Sequence, residues 1–209
     1  MKTRKQLQLK CFLVLVTVSP LFTLAACQQN TGKAGADKTV EQRKSPTADD
    51  NGQMPPASSS NDIHTAVVKN DIDAVKKYIA AKADLNIKES YGGSTPLISA
   101  ALFGRTEIAA LLIDAGANLN IQNNDGSTAL ITAAFFCRPE IVKMLLAKKA
   151  DKTIRNKYGQ TAYETLLAPF SDAKPVYDIL GKALAPMGLK LDYAYIEKTR
   201  PVIAAMLKP

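Results

Sequence analysis

The chain is short of the residues that carry most enzyme chemistry. It has one histidine, His64, and three cysteines, Cys11, Cys27 and Cys137, in 209 residues. No Cys/His cluster exists, so neither a metal site nor a nucleophile–base pair can be assembled. Cys11 sits inside an apolar run, Cys27 ends that run and Cys137 stands alone, which excludes a disulfide framework. The Asp and Glu residues show no paired spacing, and there is no glycine-rich phosphate loop and no hydrolase motif. The chain therefore reads as a non-enzyme, with no catalytic residue, no metal and no cofactor. It also lacks a basic patch interleaved with aromatics. Lys2, Arg4, Lys5 and Lys10 account for much of the formal charge of +8; without them 27 − 4 = 23 basic residues face 19 acidic ones, a net +4. That is an ordinary solubility charge, and it excludes nucleic acid as the expected partner. Finally, the apolar run from Cys11 to Ala26 is interrupted by Pro20 and falls short of the about 20 residues that a membrane-spanning helix needs.

What the N-terminus does have is an ordered succession of basic, apolar and small residues, the layout of a signal peptide over residues 1–26. Its last residues, Leu24-Ala25-Ala26-Cys27, resemble the lipobox of bacterial lipoproteins. The resemblance implies lipidation of Cys27, and acyl chains anchor at about 0.8 kcal/mol per buried CH₂. Gln28 rather than Asp follows the cysteine, which in a Gram-negative cell implies an outer-membrane lipoprotein, read here as facing the periplasm. Residues 27–60 carry Gly32, Gly35, Gly52, Pro46, Pro55, Pro56 and a run of serines, with only Val40 and Met54 as sizeable apolar groups. Such a segment cannot offset its ordering entropy. It reads as a flexible lipidated tether, with a root-mean-square span of roughly 30 Å. Initiation at Met54 would yield a minor cytosolic form without the lipid.

The middle of the chain repeats itself. Tyr91-Gly92-Gly93-Ser94-Thr95-Pro96-Leu97 matches Asn124-Asp125-Gly126-Ser127-Thr128-Ala129-Leu130 at a spacing of 33. Ala100-Ala101 returns as Ala133-Ala134, Ile108 as Ile141, Leu112-Ile113 as Leu145-Leu146 and Ala117-Asn118 as Ala150-Asp151. A fixed period of this size means stacked supersecondary units. Thr95 and Thr128 suit helix caps, Pro96 a first helical position, Gly93 and Gly126 a tight turn, and Gly116 a left-handed helix end.

Together these residues resemble ankyrin repeats. The resemblance implies an all-α solenoid of helix-turn-helix units with short β-hairpin fingers, about four repeats at 61–89, 90–122, 123–155 and 156–185. Lys76 and Lys77 mark the first as a water-facing cap, and Glu89 reads as a one-residue insertion. Tyr158-Gly159-Gln160-Thr161-Ala162 opens the fourth unit, which then departs from the pattern: Leu166-Leu167 replaces the Ala pair and Pro169 must end or kink its first helix. Val176, Ile179, Leu180, Ala183 and Leu184 restore a helical stripe, and residues 186–209 form a C-terminal cap or tail. His64 falls where such repeats often hydrogen-bond to a neighbouring hairpin backbone. Cys137 falls where the previous repeat has Gly104, in the turn between helices.

In this family the fingers and the exposed side of the first helices form the concave binding face. The two residues after each Ala pair vary with the partner. Here they are Leu102-Phe103 and Phe135-Phe136, and Tyr91, Asn124, Lys157 and Tyr158 lie on the fingers. Apolar anchors with a polar rim are the make-up of a binding hot spot. The expected function is a membrane-tethered, monomeric module that binds another protein. Similar bacterial ankyrin lipoproteins imply two specific roles: an immunity protein neutralising a secreted antibacterial effector such as a phospholipase, or a periplasmic oxidative-stress factor associated with catalase. A thiol-dependent redox role for Cys137, activated by the adjacent Arg138, is the rival class.

Overall fold

The computed structural model describes residues 61–209, with side chains from Ile63 onward; the expected signal peptide, Cys27, the tether and Met54 lie outside the described residues. Three helix pairs come first: α1 (Asn61–Lys69) with α2 (Ile72–Ala80), α3 (Pro96–Phe103) with α4 (Thr106–Asp114), and α5 (Ala129–Phe135) with α6 (Pro139–Ala147). The local chemistry explains where they start. Thr95 and Thr128 each accept a bond from the amide three residues on, both at 3.3 Å, and Asp71 does the same for α2 at 2.9 Å. The turn between the helices of each pair needs one left-handed residue, supplied by Asn70, Gly104 and Cys137 with φ of 59°, 67° and 53°. A second such position follows each pair, at Lys82, Gly116 and Lys149.

The first helices α1, α3 and α5 stack side by side, and α2, α4 and α6 form a second row behind them. Ala100, Ala101, Ala133 and Ala134 are fully buried, which lets neighbouring backbones approach closely. Ile108, Leu112, Ile141, Val142 and Leu145 fill the space between the rows. Fully burying one such aliphatic side chain stabilises the fold by roughly 1.5–3 kcal/mol. The architecture is the expected all-α repeat solenoid.

The fingers are tight turns; among the described residues there is no β-strand. Each turn is closed by one backbone bond at its base: Glu89 N–H to Ser94 O, Asn123 N–H to Ser127 O and Asn156 N–H to Gln160 O, all 3.0 Å. A side-chain oxygen then gathers the amides at the tip. Asn123 Oδ1 accepts from Asp125 and Ser127, and Asn156 Oδ1 from Tyr158 and Gln160. Glu89 is not the inserted residue. It plays the same part, its carboxylate accepting from Tyr91, Gly92 and Ser94. The extra residue lies within the turn, and the longer side chain spans the wider loop.

The C-terminal third departs most from expectation. Thr161 and Glu164 form a reciprocal capping box, Thr161 N–H to Glu164 Oε2 at 2.9 Å and Glu164 N–H to Thr161 Oγ1 at 3.3 Å. The helix it starts stops after one 3-10 turn, Glu164–Leu166, because Pro169 follows. The chain then runs through α7 (Phe170–Leu184), a 3-10 turn (Ala185–Met187) and α8 (Tyr193–Leu207). The expected stripe on α7 is shifted: Ala173 and Tyr177 are its buried residues, while Ile179 is 48% exposed. The expected short helix or tail at the end is a 15-residue helix that packs on α5, α6 and the first 3-10 turn. It buries Ile196, Ile203 and Leu207 and so closes the end of the stack. Arg200, 3% exposed, ties this end together: it donates to Tyr177 Oη at 3.0 Å, Thr165 O at 3.3 Å and Ala168 O at 2.8 Å.

Candidate functional site

The eight residues expected to bind a partner separate into two groups. Tyr91, Asn124, Lys157 and Tyr158 are brought together along one edge. Asn124 N–H donates to Gly92 O, and Lys157 N–H donates to Asp125 O, both 2.9 Å, so each finger rests on the one before it. Asn124 Nδ2 also reaches Tyr91 O at 3.4 Å. Beneath the tips, Lys88 Nζ donates to Gln122 O at 2.6 Å and Gln122 Nε2 to Arg155 O at 3.0 Å. Gly93 is needed for this spacing: its φ is 67°, and a Cβ there would lie 2.4 Å from Asn124 Oδ1. The tips are presented outward. Tyr91 is 88% exposed, and Asn124 and Lys157 are exposed. Tyr158 is half-buried, and burial followed by the nearby Asp125 carboxylate raises its phenol above the ordinary value.

Leu102, Phe103, Phe135 and Phe136 are brought together as well, but not as a solvent-facing strip. This corrects the expectation drawn from their place after the Ala pairs. Phe103 and Phe136 are buried, and Leu102 and Phe135 partly so. The cover is the chain's own C-terminal segment. Tyr177 on α7 stacks on Phe135 with ring centroids 4.7 Å apart, and Phe136 meets Phe135 edge-on at 5.2 Å. Tyr177 Oη donates to Phe135 O at 2.5 Å, satisfying a carbonyl at the end of α5. Leu189, beyond α7, forms one cluster with Phe103 and Phe136.

Two positions that recur at the repeat spacing escaped the sequence reading. Arg105 Nη2 donates to Val68 O at 2.7 Å, and Arg138 Nη2 to Leu102 O at 3.4 Å. Each guanidinium reaches back to a carbonyl in the last turn of the preceding first helix. Their spacing of 33 was the available signal.

His64 has the expected structural role. It is buried, and its Nε2 donates to Ile87 O at 3.1 Å, tying α1 to the segment before the first finger. Nδ1 is buried without a partner, and burial lowers the imidazole pKa from its ordinary value. Cys137 is the opposite of an activated thiol. It is fully buried, donates to Ile196 O at 3.6 Å, and burial pushes its pKa up to about 11 despite Arg200 and Arg138 nearby. The adjacent arginine is committed to Leu102 O. A thiol nucleophile needs a depressed pKa and access, and Cys137 has neither, so the redox reading is corrected.

A shallow cleft of about 220 Å³ lies between Lys152, Arg155, Thr161, Glu164 and Leu207. Its charged groups are already used, since Arg155 pairs with Glu164. Among the described residues no group of three His, Cys, Asp or Glu side chains is placed to hold a metal ion, and no helix is long and apolar enough to cross a membrane.

Residues 63–156 match the family model of ankyrin repeats (three copies). Among curated proteins, inversin of Gallus gallus is 36% identical over 64 residues, a stretch covering 31% of this chain and 6% of inversin. The chain thus spans a small fraction of that relative's length. Repeats of this kind are generally non-enzymatic and make the domain a protein-binding module.

Proposed function

We propose that this chain is a protein-binding ankyrin module held in the bacterial envelope by a lipid on Cys27, facing the periplasm and acting as a monomer. The partner surface is the finger row: Tyr91 as the aromatic anchor, with Asn124, Lys157 and Tyr158 around it. One observation carries this choice. The finger tips are rigidly spaced yet outward-facing, whereas the apolar groups on the first helices are covered by α7 and Leu189. Exposed aromatic groups with a polar rim are what protein partners bury.

The specific role is that of an immunity protein, which binds a secreted antibacterial effector such as a phospholipase and covers its active site. The lipobox resemblance supports this, because the lipid would concentrate the inhibitor where such an effector acts. The test is protection of cells exporting a periplasmic phospholipase effector from a neighbouring gene. Full-length protein is expected to protect, Cys27→Ala to protect less, and Tyr91→Ala to lose both protection and co-purification of the effector. No protection by the wild type removes the immunity role. Unimpaired effector binding by Tyr91→Ala removes the finger row as the contact surface.

A further inference from the structure

Residues 168–192 are held differently from the rest of the domain. Of the 15 residues of α7, only Ala173 and Tyr177 are buried. The flanks of the segment are fixed: the 3-10 turn Glu164–Leu166 and α8 both rest on α5, and Arg200 holds Ala168 O. Between those flanks the segment meets the repeats through Tyr177 on Phe135 and Leu189 against Phe103 and Phe136, with Leu180 and Leu184 partly buried beside them, and Tyr177 Oη also accepts the Arg200 bond from α8. Pro175 lies inside α7 and cannot donate a backbone bond. Ile179 and Met187, each 48% exposed, spend their apolar surface on water. The surface underneath stands on α3 and α5, which pack on each other through buried alanines and leucines.

We propose that residues 168–192 form a strap that opens as a unit while the stack and α8 stay folded, and that it occupies in cis a groove for an amphipathic helix of the partner. The inference rests on the reading of the domain as a protein-binding module. The groove accepts a helix with an aromatic ring and two leucines on one face, because α7 already seats Tyr177, Leu180 and Leu184 there. Those positions, separated by three and four residues, share one side of a helix. A cover joined to the chain competes at an effective concentration of about millimolar. The strap therefore rejects weak apolar ligands and yields only to a partner helix that seats better than α7.

Native-state hydrogen exchange of the full chain tests the opening. Amides of residues 173–184 are expected to exchange at least ~10-fold faster than those of α5 and α8, as a sub-global unit would. Leu189→Ala is expected to accelerate the strap further while leaving α5 unchanged. Strap amides exchanging in step with α5 in the wild type would make α7 part of one cooperative core and overturn the proposal, whatever the variant does. A fluorescent peptide of residues 170–191 tests the groove. It is expected to bind Leu189→Ala at least ~10-fold more tightly than the wild type, whose own strap competes; equal binding, or none, overturns the groove. Neither measurement involves the envelope partner, so failure here leaves the finger row standing, and a silent Tyr91→Ala leaves the strap standing.

Discussion

Replacing Phe135 by alanine separates two pictures of this domain. On a free binding surface the ring would be worth little to stability. In the structure it is partly buried, stacked on Tyr177 at 4.7 Å and edge-on to Phe136 at 5.2 Å. Truncating a core phenylalanine costs about 3–5 kcal/mol. Partial exposure reduces that to roughly 2 kcal/mol on area grounds, and the lost stacking adds about 0.5–1.5 kcal/mol. The expected destabilisation is therefore about 3 kcal/mol, a large share of a typical folding free energy. Urea unfolding followed by circular dichroism should show a lower midpoint with an unchanged slope. A double-mutant cycle with Tyr177→Ala should return a coupling of about 0.5–1.5 kcal/mol. A loss below about 0.5 kcal/mol with no coupling, as for an ordinary surface position, would refute the covered arrangement.

Three further outcomes follow from single residues. The folded state holds the His64 pKa below its ordinary value, so the neutral ring's contribution is complete above the unfolded pKa and lost as pH falls through the folded one; the urea midpoint should drop on acidification, and less so in His64→Gln. Cys137, with a pKa of about 11 and no exposure, presents about one thiolate in a thousand at pH 8; it should resist thiol reagents until urea unfolds the protein, and Cys137→Ser should leave partner binding unchanged. Lys149 holds a left-handed conformation, φ 62°, at the place where the preceding repeat has Gly116; Lys149→Gly should raise the unfolding free energy by about 0.5–1 kcal/mol, and a decrease would contradict the assigned backbone geometry.

The parts of the molecule that were legible in advance are those governed by neighbours in the chain. Thr95 and Thr128 cap helices because their hydroxyls reach amides three residues away, and the buried Ala pairs follow from a period of 33. His64 was placed correctly because its partner, Ile87, lies within the same repeat unit. Tyr91, Asn124, Lys157 and Tyr158 lie on the finger turns for the same reason. The misreadings of Cys137 and Phe135 share one cause. Cys137 and Phe135 touch residues 59 and 42 positions further on, Ile196 and Tyr177, and the repeat pattern has stopped before either of those is reached.

The sequence by itself determined that residues 90–155 are stacked helix pairs with turns at glycine, since period, caps and turn residues are local properties that any copy of the unit must satisfy. It also determined the character of Leu102, Phe103, Phe135 and Phe136, large apolar groups at positions that repeats of this kind present outward. Whether those groups met water, a partner or the chain itself was decided only in three dimensions. Pro169 ends the fourth unit after one turn, and the freed segment returns across the first helices. Tyr177 and Leu189 then bury the strip, and α8 takes the place at the end of the stack.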